Sequence, residues 1–168
     1  MDLFSLIKKR FSVRAYSDIK VEDVKIQQIL QAGNLAPTAH NSQPQRIKVI
    51  TADEELKKVD GCTPCRFGAP LVFFICYDRE TSWKRSFDGK DSGYVDASIV
   101  TTHMMLMAEE LGLGSCWVMH FDPEKAKELF SLPGNLEPVA FLPTGYPAKD
   151  ALPSASHEKR RPLEEILI

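Results

Sequence analysis

The sequence predicts a mixed fold, α/β or α+β, in a single domain spanning residues 1–168. Three observations carry that expectation. Helical and extended patterns interleave along the chain. The run Ala69-Pro70-Leu71-Val72-Phe73-Phe74-Ile75-Cys76-Tyr77 is continuously apolar, as expected of a strand covered on both faces. The stretch from Tyr94 to Leu111 is helical in pattern and apolar on most sides, so it must be buried nearly all round. In so small a domain, one side of such a helix is expected to be covered by another subunit.

The elements follow in order. Leu3, Phe4, Leu6 and Ile7 form a helical stripe ending in Lys8-Lys9-Arg10, where cations suit the negative end of the helix dipole. Residues 10–16 read as extended, with Arg10, Ser12 and Arg14 on one face and Phe11 and Val13 on the other. A helix is expected over about Glu22–Leu35, stopped by Pro37. Ile47–Ile50 reads as a strand. Thr51-Ala52-Asp53-Glu54 has the spacing of a capping box opening a short helix. The segment 78–92 is polar and irregular, with Trp83 and Phe87 embedded. Gly112 is placed to end the long helix as its left-handed cap. Ser115–His120 reads as a strand. Asp122-Pro123 pairs an N-cap with proline at the first helical position. Pro138–Tyr146 gives a last strand. The tail 147–168 ends in Ile166-Leu167-Ile168 and is expected to cross a surface and dock, on a partner subunit or on its own.

Totals exclude several function classes. The 168 residues are 43% hydrophobic and 26% charged, ordinary for a globular protein. A formal net charge of -2 gives no general attraction for nucleic acid. No apolar run approaches the roughly 18 residues that span a bilayer. Met1-Asp2-Leu3-Phe4-Ser5-Leu6 lacks the basic start and long apolar region of a signal peptide, so a cytoplasmic location is expected. The four cysteines are too few and scattered for a disulfide scaffold.

Chemistry-bearing patterns are sparse. There is no G-x-G-x-x-G, G-x-x-x-x-G-K-[ST], G-x-S-x-G or H-E-x-x-H. Cys62-Thr63-Pro64-Cys65 is a lone C-x-x-C without the second pair that a structural zinc site needs. It reads either as a dithiol redox site or as two incidental thiols. Arg10 and Arg14 read either as solvated charges or as an anion site, since Ser12 lies between them and apolar residues alternate with them. His40 has no carboxylate partner in sight and carries no assigned role.

Four segments in order give the chain a resemblance to the nitroreductase family of FMN-dependent oxidoreductases. Arg10-Phe11-Ser12-Val13-Arg14-Ala15-Tyr16 resembles the family's opening R-x-S-x-R-x-[YF]. Ala36-Pro37-Thr38-Ala39-His40-Asn41-Ser42-Gln43-Pro44 resembles A-P-S-x-x-N-x-Q-P-W. Asp96 with Leu106–Trp117 resembles the long central helix and its G-L-G-x-x-W end, and Arg160-Arg161-Pro162-Leu163-Glu164-Glu165 the terminal R-K-P-L-E-E. Gln45 stands where the family often has tryptophan, and Thr38 replaces its common serine with another hydroxyl.

The resemblance implies an α+β nitroreductase-like fold, with a central, mostly antiparallel sheet flanked by helices. It implies a homodimer with exchanged C-terminal tails and two FMN sites at the subunit interface. Arg10, Phe11, Ser12 and Arg14 would bind FMN, the polar three contacting its phosphate, ribityl chain and pyrimidine edge. Arg160 and Arg161 would neutralise the phosphate. Pro37, Thr38 and Asn41 would arrive from the other subunit, and Cys116, Trp117, Val118 and Met119 would lie along the ring. NADH or NADPH would be the electron donor, and a nitroaromatic, quinone or similar small molecule the acceptor, taken in ping-pong order. The chemistry would sit on the flavin, with no catalytic side chain and no metal. The runner-up is a flavin-binding redox sensor using Cys62 and Cys65. A third reading keeps the fold with another flavin reaction, such as reductive dehalogenation.

Overall fold

A computed structural model describes residues 2–168. Helix α1 (Leu3–Lys9) opens on Asp2, whose carboxylate accepts the Ser5 N–H at 3.1 Å. Helix α2 (Asp23–Asn34) is followed by strand β1 (Gln45–Ile50), helix α3 (Asp53–Cys62) and strand β2 (Leu71–Asp78). Helix α4 (Gly93–Glu110), strand β3 (Gly114–Ser115), helix α5 (Pro123–Leu129) and strand β4 (Leu136–Gly145) complete the set. The strands form one sheet in the order β1-β2-β4-β3, antiparallel throughout. This is an α+β arrangement, so of the two classes that the pattern left open it is the second.

The sheet has helices on both faces, and β2 shows why its sequence is apolar without alternation. Leu71, Phe73 and Ile75 join one core with Ile29, Val100 and Met104 of α2 and α4. Val72, Phe74 and Cys76 join the other with Leu56, Val59 and Ala126 of α3 and α5. Successive side chains of a strand point to opposite faces, so both sets must be apolar. Phe74 stacks on Phe141 of β4 with ring centroids 4.5 Å apart.

Local signals resolve in physical terms. Asp122 caps α5 by accepting the Lys125 N–H at 3.0 Å. Asp122→Ala is therefore expected to cost about 1 kcal/mol, the usual value of a lost N-cap; urea unfolding checks this, and an unchanged midpoint refutes it. The capping box at Thr51 does not form. The cap position of α3 is Ala52, with no side-chain bond, and three carboxylates in the first turn, Asp53, Glu54 and Glu55, face the positive helix end instead. Gly112 ends α4 with φ +76°. The strand expected over Ser115–His120 is confined to Gly114–Ser115, continuing only as an isolated bridge between Val118 and Phe141. The cause is Pro143 on the facing strand: it accepts the Cys116 N–H at 3.1 Å and, lacking an N–H, returns nothing.

Helix α4 is covered on one side only. Val100, Met104 and Ala108 are buried, whereas Tyr94 and Val95 are 41% and 54% exposed. A single chain thus leaves open one side of the helix, the side for which the sequence predicts cover from another subunit. The tail is also open, with Leu163, Ile166 and Leu167 exposed.

Candidate functional site

The segment 10–16 lies against the strip that follows α4. Ser12 bridges Ser115 in parallel, and the Val13 N–H donates to the Ser115 carbonyl at 3.1 Å. Tyr16 secures the far end: its hydroxyl lies 2.9 Å from the Val13 carbonyl and 3.0 Å from that of Pro143. Burial holds the Tyr16 phenol well above its ordinary pKa, so it stays protonated as a donor. Gly114 permits this approach. A Cβ there would stand 2.3 Å from Cγ2 of Val13.

This packing gathers eight of the residues singled out from the sequence. Arg14 shares a pocket of about 130 Å³ with Cys116, Trp117, Val118 and Met119. Arg10, Phe11 and Ser12 precede it on the same paired segment. The polar groups here are conspicuously unsatisfied. Arg10 Nη1, Ser115 Oγ and Trp117 Nε1 are buried, and none has a hydrogen-bond partner among the described residues. A buried guanidinium nitrogen without an acceptor carries a large desolvation cost, which an anion would remove. The indole and hydroxyl donors on the 115–117 strip suit the carbonyl and nitrogen edge of a polar ring. The donor set therefore fits a phosphate-bearing heterocycle such as FMN.

The tail meets the same segment at Phe11. Phe11 and His157 make an edge-on ring contact with centroids 6.2 Å apart, and Arg160 shares a separate pocket with Ile7, Lys8 and His157. Arg160 donates to the carbonyls of His157 and Lys159, so its guanidinium is turned back on its own segment. Arg161 is exposed.

Pro37, Thr38 and Asn41 belong to a different place. They line neither pocket that contains Arg14 or Arg160. Their loop is unusual: His40, Asn41 and Gln43 all have left-handed backbone, with φ of 51°, 52° and 48°. Side chains impose that shape. The buried carboxylate of Asp96, on α4, accepts the Ala39 N–H at 2.9 Å and the Ser92 hydroxyl at 2.7 Å. Thr38 Oγ1 accepts the Gln43 N–H at 3.1 Å, and His40 stacks on Trp83 at 5.2 Å between centroids. Asp96 and Trp83 as loop anchors were not foreseeable from spacing, because each acts across a long sequence separation.

The C-x-x-C pair divides. Cys62 ends α3 in the core between that helix and the sheet, and burial raises its thiol pKa. Cys65 lines the pocket of Arg14 and Cys116.

The model of the nitroreductase family matches residues 7–63 and 60–146, which takes in both the paired segment and the strip. The chain belongs to the nitroreductase family. A nitroreductase family protein from Clostridium difficile 630 is 46% identical, with a TM-score of 0.94 over 100% of this chain and 98% of that one. A protein from Desulfovibrio desulfuricans solved in complex with FMN is 30% identical, with a TM-score of 0.84 over 100% and 96% of the two chains. An NADH dehydrogenase from Thermus thermophilus is 28% identical across 100% of this chain and 96% of its own length. Within this nitroreductase-family chain, the unsatisfied donors thus lie on the segment and the strip that the family model spans. No helix among the described residues is long and apolar enough to cross a membrane.

Proposed function

We propose that this chain is an FMN-dependent NAD(P)H oxidoreductase, one domain per subunit, working as a homodimer that reduces small acceptors such as nitroaromatics or quinones. The observation that carries the reading is the buried, unpartnered Arg10 Nη1 on a segment bridged to the 115–118 strip. The FMN complex of the Desulfovibrio relative supports it.

When bound, FMN supplies hydride transfer between a nicotinamide and an acceptor. The chain's residues bind and orient. Arg10 and Arg14 would neutralise the phosphate and the electron-rich edge of the ring, and Ser12 would bond the ribityl chain. Phe11 backs that segment. Cys116, Trp117, Val118 and Met119, which line one pocket with Arg14, would hold the ring. Arg160 and Arg161 add positive charge from the tail once the tail is docked. Pro37, Thr38 and Asn41 would serve the FMN of a second copy of the chain, a reading supported by the absence of these three from the pocket of Arg14. The open side of α4, with Tyr94 and Val95, together with the apolar tail, is the surface that the second copy covers.

The test is direct. Purified protein should be yellow, release one FMN per subunit, sediment as a dimer and bleach on anaerobic titration with NADH or NADPH. Double-reciprocal plots at several acceptor concentrations should be parallel. A colourless monomer that FMN does not reconstitute rejects the reading, and intersecting lines reject the single shared pocket.

A further inference from the structure

Cys65 and Cys116 are 51 residues apart in sequence and come together at one pocket, the one that also holds Arg14. The approach is built into the backbone. The Thr63 hydroxyl donates to the His120 carbonyl at 2.5 Å, and Thr63 Oγ1 accepts the Cys65 N–H at 3.1 Å. One threonine thereby ties the turn bearing Cys65 to the strip bearing Cys116. The two thiols also differ in the way that a working pair requires. Cys65 is half-buried and reachable from the pocket, whereas Cys116 is 4% exposed. Burial raises the pKa of Cys116, while the Arg14 guanidinium and a hydrogen bond with Ser12 pull it back. The remaining cysteines are poor candidates. Cys62 belongs to the same buried cluster as Cys116 but does not line the pocket, and it lies at the C-terminal end of α3, where the helix dipole opposes a thiolate. Cys76 is in the middle of the sheet, its pKa pushed up to about 12 by burial.

We propose that Cys65 and Cys116, rather than the C-x-x-C pair, form a reversible dithiol–disulfide site oxidised by hydrogen peroxide. In the first step the Cys65 sulfur attacks the peroxide: an S–O bond forms, the O–O bond breaks, and the leaving hydroxide takes up a proton as water. In the second the Cys116 sulfur attacks the sulfenic acid: the S–S bond forms, the S–O bond breaks, and a second water leaves with the thiol proton. Two thiols are oxidised and one peroxide is reduced to two waters. An external thiol reverses the change through a mixed disulfide. The reaction goes beyond the oxidoreductase reading and takes no electrons from FMN.

The experiment treats the purified protein, as isolated, with hydrogen peroxide, then alkylates and counts thiols under denaturing conditions. The count should fall from four to two. Peptide mass mapping should find Cys65 linked to Cys116 within one chain, and dithiothreitol should restore all four. Cys62→Ser should leave that link unchanged, and Cys65→Ser, at a half-exposed position, should abolish it. A link between Cys62 and Cys65, a link between chains, thiol loss without a disulfide, or four thiols surviving peroxide would each overturn the proposal.

Discussion

Arg10→Ala should weaken FMN binding by about 1.5–3 kcal/mol, the usual scale for hydrogen bonds to a charged group, which is roughly a 10- to 150-fold rise in Kd. Arg10 is the position of choice because its Nη1 is already buried and lacks an acceptor. The apo protein bears that desolvation alone, and a phosphate removes it. Arg14 is exposed, with only a 3.3 Å bond to the Ser12 carbonyl, so its removal should cost less. Arg10→Lys should rescue in part, since a point charge does not reproduce a guanidinium fork. Riboflavin, which lacks the phosphate, should bind wild type and Arg10→Ala with similar weak affinity. Fluorescence titration measures all four cases. If Arg10→Ala lowers riboflavin affinity as much as FMN affinity, the guanidinium is not a phosphate ligand.

Gly114→Val should destabilise the fold by about 1–3 kcal/mol through overpacking and impair FMN binding with it. The added Cβ would meet Val13 Cγ2 at 2.3 Å, Val13 Cβ at 2.8 Å and Pro147 Cγ at 3.1 Å. Val13 cannot yield easily. It is 1% exposed, β-branched, and held by its N–H bond to Ser115. The segment carrying Arg10, Ser12 and Arg14 would have to move away from the strip. Gly112, two residues earlier, is the control. Its constraint is a φ of +76°, with nothing within 4 Å of an added Cβ. Gly112→Asn, whose side chain tolerates the left-handed region, should cost less and leave FMN affinity unchanged. Thermal unfolding and FMN titration on both variants decide the matter. Equal losses at the two glycines would mean that space at Gly114 is not what keeps the segment in place.

Much of this was legible in the linear chain because it depends on near neighbours. The apolar run 69–77 is a strand because both of its faces are buried, and the sequence shows that directly. The caps at Asp122 and Gly112 act within three residues of the helix ends they finish. The family resemblance pointed to Arg10, Ser12, Arg14 and the 116–119 strip, and the parallel bridge between Ser12 and Ser115 sets those two segments side by side. Other features needed the tertiary structure. Pro143 cuts short the strand after Ser115 from the facing strand, so no pattern within 115–120 records it. The left-handed loop at His40 and Asn41 is maintained by Asp96 and Trp83, which local propensity does not register. The cysteines give the sharpest contrast. Spacing pairs Cys62 with Cys65, because sequence sees only covalent distance. Cys62, at the end of α3, stays outside the pocket, and the Thr63 bond to the His120 carbonyl sets Cys65 on the pocket that Cys116 lines.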